Sequence, residues 1–563
     1  MQLIDWVVVA AYLIFALSVG VFFARRAGSG IEEYFLSGRS LPWWIAGTSM
    51  VATSFAADTP LAVTELVRQY GIAGNWFWWT YAIGGMLSAL LFARFWRRAG
   101  VLTDAELTEI RYDGRGAAIL RGFRGFYFAT IRNCLVMGWV ILAMATLVST
   151  LFPGFDKGLA VTLSCVIALT YAVLSGFWGV VVTDLVQFAL AMTGAIATAF
   201  FSVREVGGME AMQSGLLAAH GEGLTTFLPS LDGGSFLPMS AFLIYVFFLW
   251  WCTDNADGGG MIIQRMSASK NENEALKATI WFNFAHYGLR TWPWVLTALA
   301  SLILFPDLTD DKMAYPQTAL TVLPAVWKGI LVASILAAFM STIDTHLNWG
   351  ASYLVNDIYR RFLRPDASVG ALVLVSRIAT VLLMALGGFI ALQYSTITGA
   401  WILTLSLGAG AGVVYVLRWV WWRVNAWSEL SAMLASILVN IVLRVWFPEL
   451  EFPYSIPVVV FASAAIWVPV TFLTSPVSDE RLHGFVARVR PVGFWSRFRP
   501  EDDPNRLGRW LFLWVVATAA LYGFLFGGGA ALFGRWGLSA VCFAISILGG
   551  WYLFRSLDRE GWF

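Results

Sequence analysis

Apolar residues run along this chain in long blocks, separated by short polar or glycine-rich interruptions, over nearly its whole length. A helix needs about 20 such residues to cross a hydrocarbon core of about 30 Å. The blocks predict fifteen helices, at 4–24, 42–66, 75–96, 124–151, 158–177, 179–203, 238–262, 278–305, 325–357, 368–393, 396–421, 426–447, 455–474, 509–527 and 533–555. The first block begins MQLIDW, without a basic stretch in front, and stays apolar to Ala24 before Arg25 and Arg26. That fits a spanning helix rather than a cleavable signal.

Two blocks contain what a continuous helix tolerates poorly. The 42–66 block holds ATSFAADTP, where Pro60 lacks an amide donor and its ring clashes with the carbonyl of Ala56, so the helix should kink or open near 52–60. The 238–262 block holds CTDNADGGG, three glycines beside two aspartates, which favours an unwound segment over spaced small-residue packing. Non-helical backbone at membrane depth survives only where it lines a cavity. These are the second and seventh blocks, so the five helices from 42 and the five from 238 can be corresponding halves. Paired interruptions at matching places point to an inverted-repeat transporter with a site near the midplane.

Composition narrows the class. The chain is 59% hydrophobic and 13% charged over 563 residues, against about 25% charged for a soluble domain. Its four cysteines, Cys134, Cys165, Cys252 and Cys542, lie singly in apolar runs, which excludes a disulfide framework or a zinc site and leaves packing. The charge is asymmetric: with the N-terminus outside, 27 of the 37 Lys and Arg residues fall on inward-facing segments, including Arg94 to Arg124, Arg265 to Lys277 and Arg481 to Arg509. The positive-inside rule then places the C-terminus in the cytoplasm and the chain in the cell membrane. Many of the 29 tryptophans cluster near block ends, as at 76–79 and 419–422, as expected of headgroup-level belts.

Ionisable residues within the blocks cost about 2.5–3.5 kcal/mol each on insertion scales, which makes them functional candidates. Asp58, Asp184, Asp254, Asp257 and Asp344 are the clearest, while Arg132, Arg290 and Arg377 read as counter-charges or snorkelling side chains. The run ILAAFMSTIDTHLN puts Ser341, Asp344 and Thr345 on one helix face, with Thr342 offset. Hydroxyls and carbonyls with at most one or two carboxylates are the donor set of a hard cation.

At these residues the chain resembles the sodium:solute symporter family. The matching strings are EYFLSGRSLPWWIAGTSMVAT (33–53), LTEIRY (107–112), SGFWGVVVTDLVQ (175–187), IIQRMSASKNENEA (262–275) and AAFMSTIDTHLNWGASYLVNDIYRRF (337–362). The resemblance implies an all-α, LeuT-like five-plus-five inverted repeat. An N-terminal extra helix and loop (1–41) would precede repeats at 42–237 and 238–424. About four further helices and a basic loop at 475–508 would follow within 425–563. It also implies a main sodium site formed by the carbonyls of Ala52, Phe55 and Ala338 and the hydroxyls of Ser341 and Thr342. A second cation site would be built from Asp184, Ser341, Asp344 and Thr345, where the family often has serine at the position of Asp344. Substrate contacts would come from Asp58, Thr59, Asp254, Asn255 and Asp257. This chain departs from better-known members at Ser54 and in the length of CTDNADGGG, so their specificities do not carry over.

The implied function is sodium-coupled uptake of a small organic solute: a sugar, polyol, nucleoside or amino-acid-like molecule. The expected partners are sodium, the solute and the lipid bilayer. No organic cofactor, catalytic residue or nucleic-acid partner is expected. Proton coupling on the same fold and a non-transporting membrane sensor stay open as alternatives. Loop 475–508 is too short for an output domain, and the scattered His220, His286, His346 and His483 do not suggest an enzyme.

Overall fold

The computed structural model describes every residue except 28–29, 153, 232–235, 501–504 and 562–563, and every described side chain except those of 24–27, 171 and 173–176. Arg25, Arg26 and residues 501–504 of the basic loop therefore lie outside the described positions.

The principal helices are α1 (Leu3–Ala27), α2 (Trp43–Thr53), α3 (Thr59–Tyr70), α4 (Ile72–Ala99), α5 (Gly114–Leu151), α6 (Lys157–Glu205), α7 (Met239–Cys252), α8 (Gly260–Ala268), α9 (Glu272–Asn283) and α10 (Thr291–Leu304). They continue as α11 (Trp327–Leu363), α12 (Val369–Gln393), α13 (Ile397–Gly408), α14 (Gly412–Val420), α15 (Ala426–Trp446), α16 (Ser455–Leu473), α17 (Leu507–Leu532) and α18 (Trp536–Asp558). Among the described residues, β-pairing is limited to two isolated bridges, Leu41–Ser269 and Trp421–Phe494. Among the described residues, ten helices are long and apolar enough to cross a membrane singly, or eleven if α13 and α14, bent by 43°, make one span.

Both expected interruptions are present. The first core helix stops at Thr53 and restarts at Thr59, with Pro60 in the new first turn, where its missing amide leaves no bond unmade. Short turn bonds, Phe55 N–H to Ala52 O at 3.0 Å and Thr59 N–H to Ala56 O at 3.1 Å, bridge the gap. The second opening runs from Thr253 to Gly259. Gly258 (φ 127°) and Gly259 (φ 72°) turn the chain back into α8 through backbone that side-chain-bearing residues rarely adopt. One expected boundary is absent: blocks 158–177 and 179–203 form the single helix α6, and no proline in LSGFWG stops it.

Helices α6 and α11 pack along each other, and α1 lies against both. α11 is buried over almost all of its length to Tyr353. The C-terminal hairpin α17–α18 is fastened by aromatic donors on main-chain carbonyls. Trp514 Nε1 donates to Ile83 O at 2.8 Å, Tyr522 Oη to Trp79 O at 2.9 Å, and Trp292 Nε1 to Leu525 O at 2.9 Å. In lipid an unpaired polar group costs several kcal/mol, so such bonds fix the docking geometry.

The charge map needs correcting. Arg94, Arg111, Arg124, Arg265 and Arg418, placed by the sequence on inward-facing segments, are buried. At this Arg-rich end Arg124 reaches Asp104 (2.7 Å) and Glu429 (3.1 Å), Arg121 reaches Asp357 (2.8 Å), and Arg418 reaches Asp257 (2.5 Å). Tyr112 also donates to Glu429 at 2.5 Å. With Arg418 also 3.4 Å from it, Glu429 binds α15 to the core through three donors, since a buried carboxylate must be paired to be tolerated.

Candidate cation and solute sites

The opened stretch 54–58 lies against the middle of α11. Thr342 Oγ1 is 2.9 Å from the carbonyl oxygen of Thr53 and 3.0 Å from that of Ala338. Helix α11 supplies Ala338 and Thr342 one turn apart, while the end of α2 presents carbonyls that no longer serve a continuing helix. Ser341 is turned the other way, donating to Asp184 Oδ1 at 2.5 Å. Its hydroxyl oxygen keeps acceptor capacity while its proton is committed. The donor set around Thr342 is neutral. Nearby, Arg290 donates to Ser54 O at 2.5 Å, taking one carbonyl of the opened stretch. The sequence anticipated Ala52 and Phe55; the structure adds Thr53, whose carbonyl is the one bonded to Thr342.

The four residues expected to form a second cation site are together, but a guanidinium stands among them. Arg265 of α8, fully buried, reaches Asp184 Oδ2 (3.2 Å), Thr345 Oγ1 (2.8 Å), Thr53 Oγ1 (2.6 Å) and Ser49 Oγ (2.7 Å). Ser49 also donates to Asp184. The carboxylate of Asp184 is thereby neutralised from within the protein. Asp344, 1% exposed, lies on the same stretch of α11, and neither of its carboxylate oxygens has a hydrogen-bond partner among the described residues. Sequence reasoning missed Arg265. The available signal was an arginine embedded in the apolar run MIIQRM.

A cavity of about 330 Å³ is walled by both helix openings: Thr53, Ser54, Ala56, Asp58 and Thr59 from one, and Asp254, Asn255, Gly258 and Gly259 from the other. α11 contributes Thr342, His346 and Trp349. Asp58 Oδ2 accepts from Trp401 Nε1 at 2.9 Å, while its Oδ1 is buried without a hydrogen-bond partner among the described residues. Asp254 is held by Arg132 at 2.7 Å, so the expected counter-charge is in place. Asp257 lies away from the cavity wall, bound to Arg418 and, at 2.8 Å, to Trp419 Nε1. Five tryptophans, Trp78, Trp139, Trp250, Trp349 and Trp401, line the cavity rather than a belt. Wall residues Tyr81, Ser88, Asn283, His286 and His346 each carry a buried polar atom without a partner among the described residues. With two helix breaks, aromatic faces and unspent hydrogen-bonding atoms, the space suits a small polar molecule.

Residues 34–436 match the sodium:solute symporter family. The chain belongs to this family. A sodium/glucose cotransporter of Vibrio parahaemolyticus is 26% identical over 81% of this chain and 87% of its own length. Sodium/glucose cotransporter 4 of Mus musculus is 24% identical over 85% of this chain and 76% of its own. A substrate-bound, outward-open Na⁺-coupled sialic acid symporter shares the fold, with a TM-score of 0.68 at 20% identity, over 85% of this chain and 99% of that one. The chain is accordingly a multi-pass membrane protein of the LeuT-like fold and a sodium-coupled symporter.

Proposed function

We propose that this chain moves a neutral, polyhydroxylated solute, a sugar or polyol, inward together with sodium by alternating access. The observation that carries this reading is the position of Thr342. It borders the solute cavity and also bonds the Thr53 carbonyl of the opened helix, so one side chain meets both ligands. Sodium would be held by the carbonyls of Ala52, Phe55 and Ala338 and the hydroxyls of Thr342 and Ser341. Filling that cage would fix the 54–58 stretch, and with it Asp58 and Thr59, in the form that receives solute. Coupling requires such a differential, because a ligand binding two states equally shifts neither.

A neutral solute fits the wall charges: Asp254 is paired with Arg132, and Asp58 lies within electrostatic range of Arg290. Hydroxyls can serve the unpartnered atoms of Asp58, Asn283, Tyr81 and His346 as both donor and acceptor, while tryptophan faces accept the apolar side of a ring. Asp58, Thr59, Asp254 and Asn255 are assigned to solute; Asp257 is assigned to holding the 253–259 opening against α14. The glucose-transporting relatives support the class. The repeats 42–237 and 238–424 would rock about the cavity, with the N-terminus outside and the C-terminus in the cytoplasm. One sodium moving down about 100 mV and a tenfold gradient releases about 3.7 kcal/mol, enough for a solute gradient of a few hundred-fold.

A second reading concerns Asp344. With Asp184 occupied by Arg265, the unpartnered carboxylate of Asp344 is the charge available to a second cation, assisted by Ser341. Proteoliposome uptake of a panel of sugars, polyols, nucleosides and amino acids, with sodium or choline outside, tests the proposal. Sodium-dependent uptake confined to polyhydroxylated solutes is expected. Uptake insensitive to sodium, or confined to charged solutes, would refute it.

A further inference from the structure

Away from the solute cavity, at the Arg-rich end, a second cavity of about 440 Å³ opens where three spanning helices leave the apolar region: the end of α4, the start of α17 and the end of α18. Six arginines border it: Arg94, Arg98, Arg490, Arg499, Arg506 and Arg559. Glu560 is the one carboxylate among its described wall residues. Pairing among the described residues leaves two of these six over. Arg98 reaches Glu272 at 2.7 Å, and Glu560 is shared by Arg506 (3.6 Å) and Arg509 (3.0 Å). Arg490 and Arg559 are exposed and have no ion-pair partner among the described residues.

The site is built as well as charged. Arg94 is 4% exposed, and its Cζ stands 3.9 Å from the ring centroid of the buried Trp510, which fixes one guanidinium at the base of the cavity. Arg490 ends the helix Asp479–Val489 in left-handed backbone (φ 51°), donating its amide to Val486 O at 2.9 Å. That position ordinarily belongs to glycine, because a side chain there crowds the backbone. The side chain retained at this strained position lines the cavity.

Several guanidinium groups around one space are the chemistry of a phosphate oxyanion, which they bind by paired N–H donors. Its source could be a lipid headgroup or free phosphate in solution. The placement at three helix ends, with Trp510 and Phe95 on the wall, favours the lipid, since basic pockets between spanning helices bind anionic headgroups. We propose that this cavity holds the phosphate of an anionic phospholipid and that the bound lipid ties the C-terminal hairpin α17–α18 to α4. The site is independent of the solute and sodium assignments.

The test uses the purified full-length chain in neutral detergent. Thermal unfolding and lipid retention by native mass spectrometry are followed with phosphatidylglycerol, phosphatidylcholine or inorganic phosphate added. Phosphatidylglycerol is expected to raise the melting temperature by several degrees and to be retained, whereas phosphatidylcholine does neither. The double variant Arg490→Gly, Arg559→Ala changes only exposed side chains and relieves the left-handed backbone at 490, so its melting temperature without lipid should be no lower than the wild type's while retention of phosphatidylglycerol falls at least tenfold. Equal responses to the two lipids, or undiminished retention in the double variant, would overturn the proposal. A response to inorganic phosphate without one to phosphatidylglycerol would overturn the lipid assignment. Glu501, Asp502 and Asp503 give a further control: a lipid preference seen only after all three are changed to their amides would show that the chain's own acids take the place of the headgroup.

Discussion

Two places on the same stretch of α11 treat positive charge in opposite ways. Around Thr342 the protein offers neutral oxygens from a helix that has been opened. Around Thr345, one turn further, it supplies its own cation, Arg265, bonded to Asp184, Thr53 and Ser49. In the proposed mechanism the first arrangement would let an ion come and go, because a neutral cage gains a single charge on binding and is left without a buried carboxylate on release. The second cannot exchange its cation, since Arg265 is part of the chain. Its buried pair gives that region one arrangement, and Asp344, without a hydrogen-bond partner among the described residues, is the carboxylate we propose for a cation from solution.

Breaking the permanent pair should have the largest effect. Arg265→Ala leaves Asp184 buried and uncompensated, a loss of about 3–5 kcal/mol, read as poor yield and a melting temperature lowered by about 3–4 °C. The double variant Arg265→Met, Asp184→Leu should recover most of that loss. If sodium restored the melting temperature of Arg265→Ala to the wild-type value, the place held by the arginine would be an exchangeable cation site, and the contrast would collapse.

Thr342→Ala should do the reverse. Its melting temperature without sodium should fall by only about 1 °C, for a loss of about 1 kcal/mol, while the sodium concentration for half-maximal uptake rises at least tenfold. Thr342→Ser, which keeps the hydroxyl, should restore uptake. Asp58→Asn sharpens the separation of ion from solute. Half-saturation for solute should rise about five- to tenfold, the ~1–1.4 kcal/mol of one hydrogen bond, with sodium dependence unchanged. Asp344→Asn should change stability least, because no hydrogen bond is lost. Measured by reversal potential, it should lower the sodium-to-solute ratio by one; an unchanged ratio would remove Asp344 from the cation path.

What could be read from the sequence follows from how local each determinant is. The openings at 54–58 and 253–259 leave local marks, Pro60 and the 258–260 glycines, so their positions were evident. Asp58, Thr59, Asp254 and Asn255 reached the cavity because they sit on those openings. Arg265 was misread because an arginine near a span end looks the same whether it meets water or an aspartate 81 residues earlier in the chain. Asp257 was misplaced for the same reason: its partner Arg418 lies 161 residues away. The continuous α6 was missed because a polar Ser-Gly step resembles a loop by hydropathy but lacks the proline that would break a helix. Tertiary pairing of charges, unlike backbone interruption, has no local signature.

The central claim is that Thr342 belongs to the sodium cage and to the solute cavity at once. Equilibrium binding of radioactive sodium to the purified protein, comparing wild type with Thr342→Ala and Asp58→Asn, tests it most directly. The account predicts that Thr342→Ala binds one sodium fewer per chain, or binds it at least tenfold more weakly, while Asp58→Asn matches the wild type. Sodium binding by Thr342→Ala with wild-type stoichiometry and affinity would contradict it.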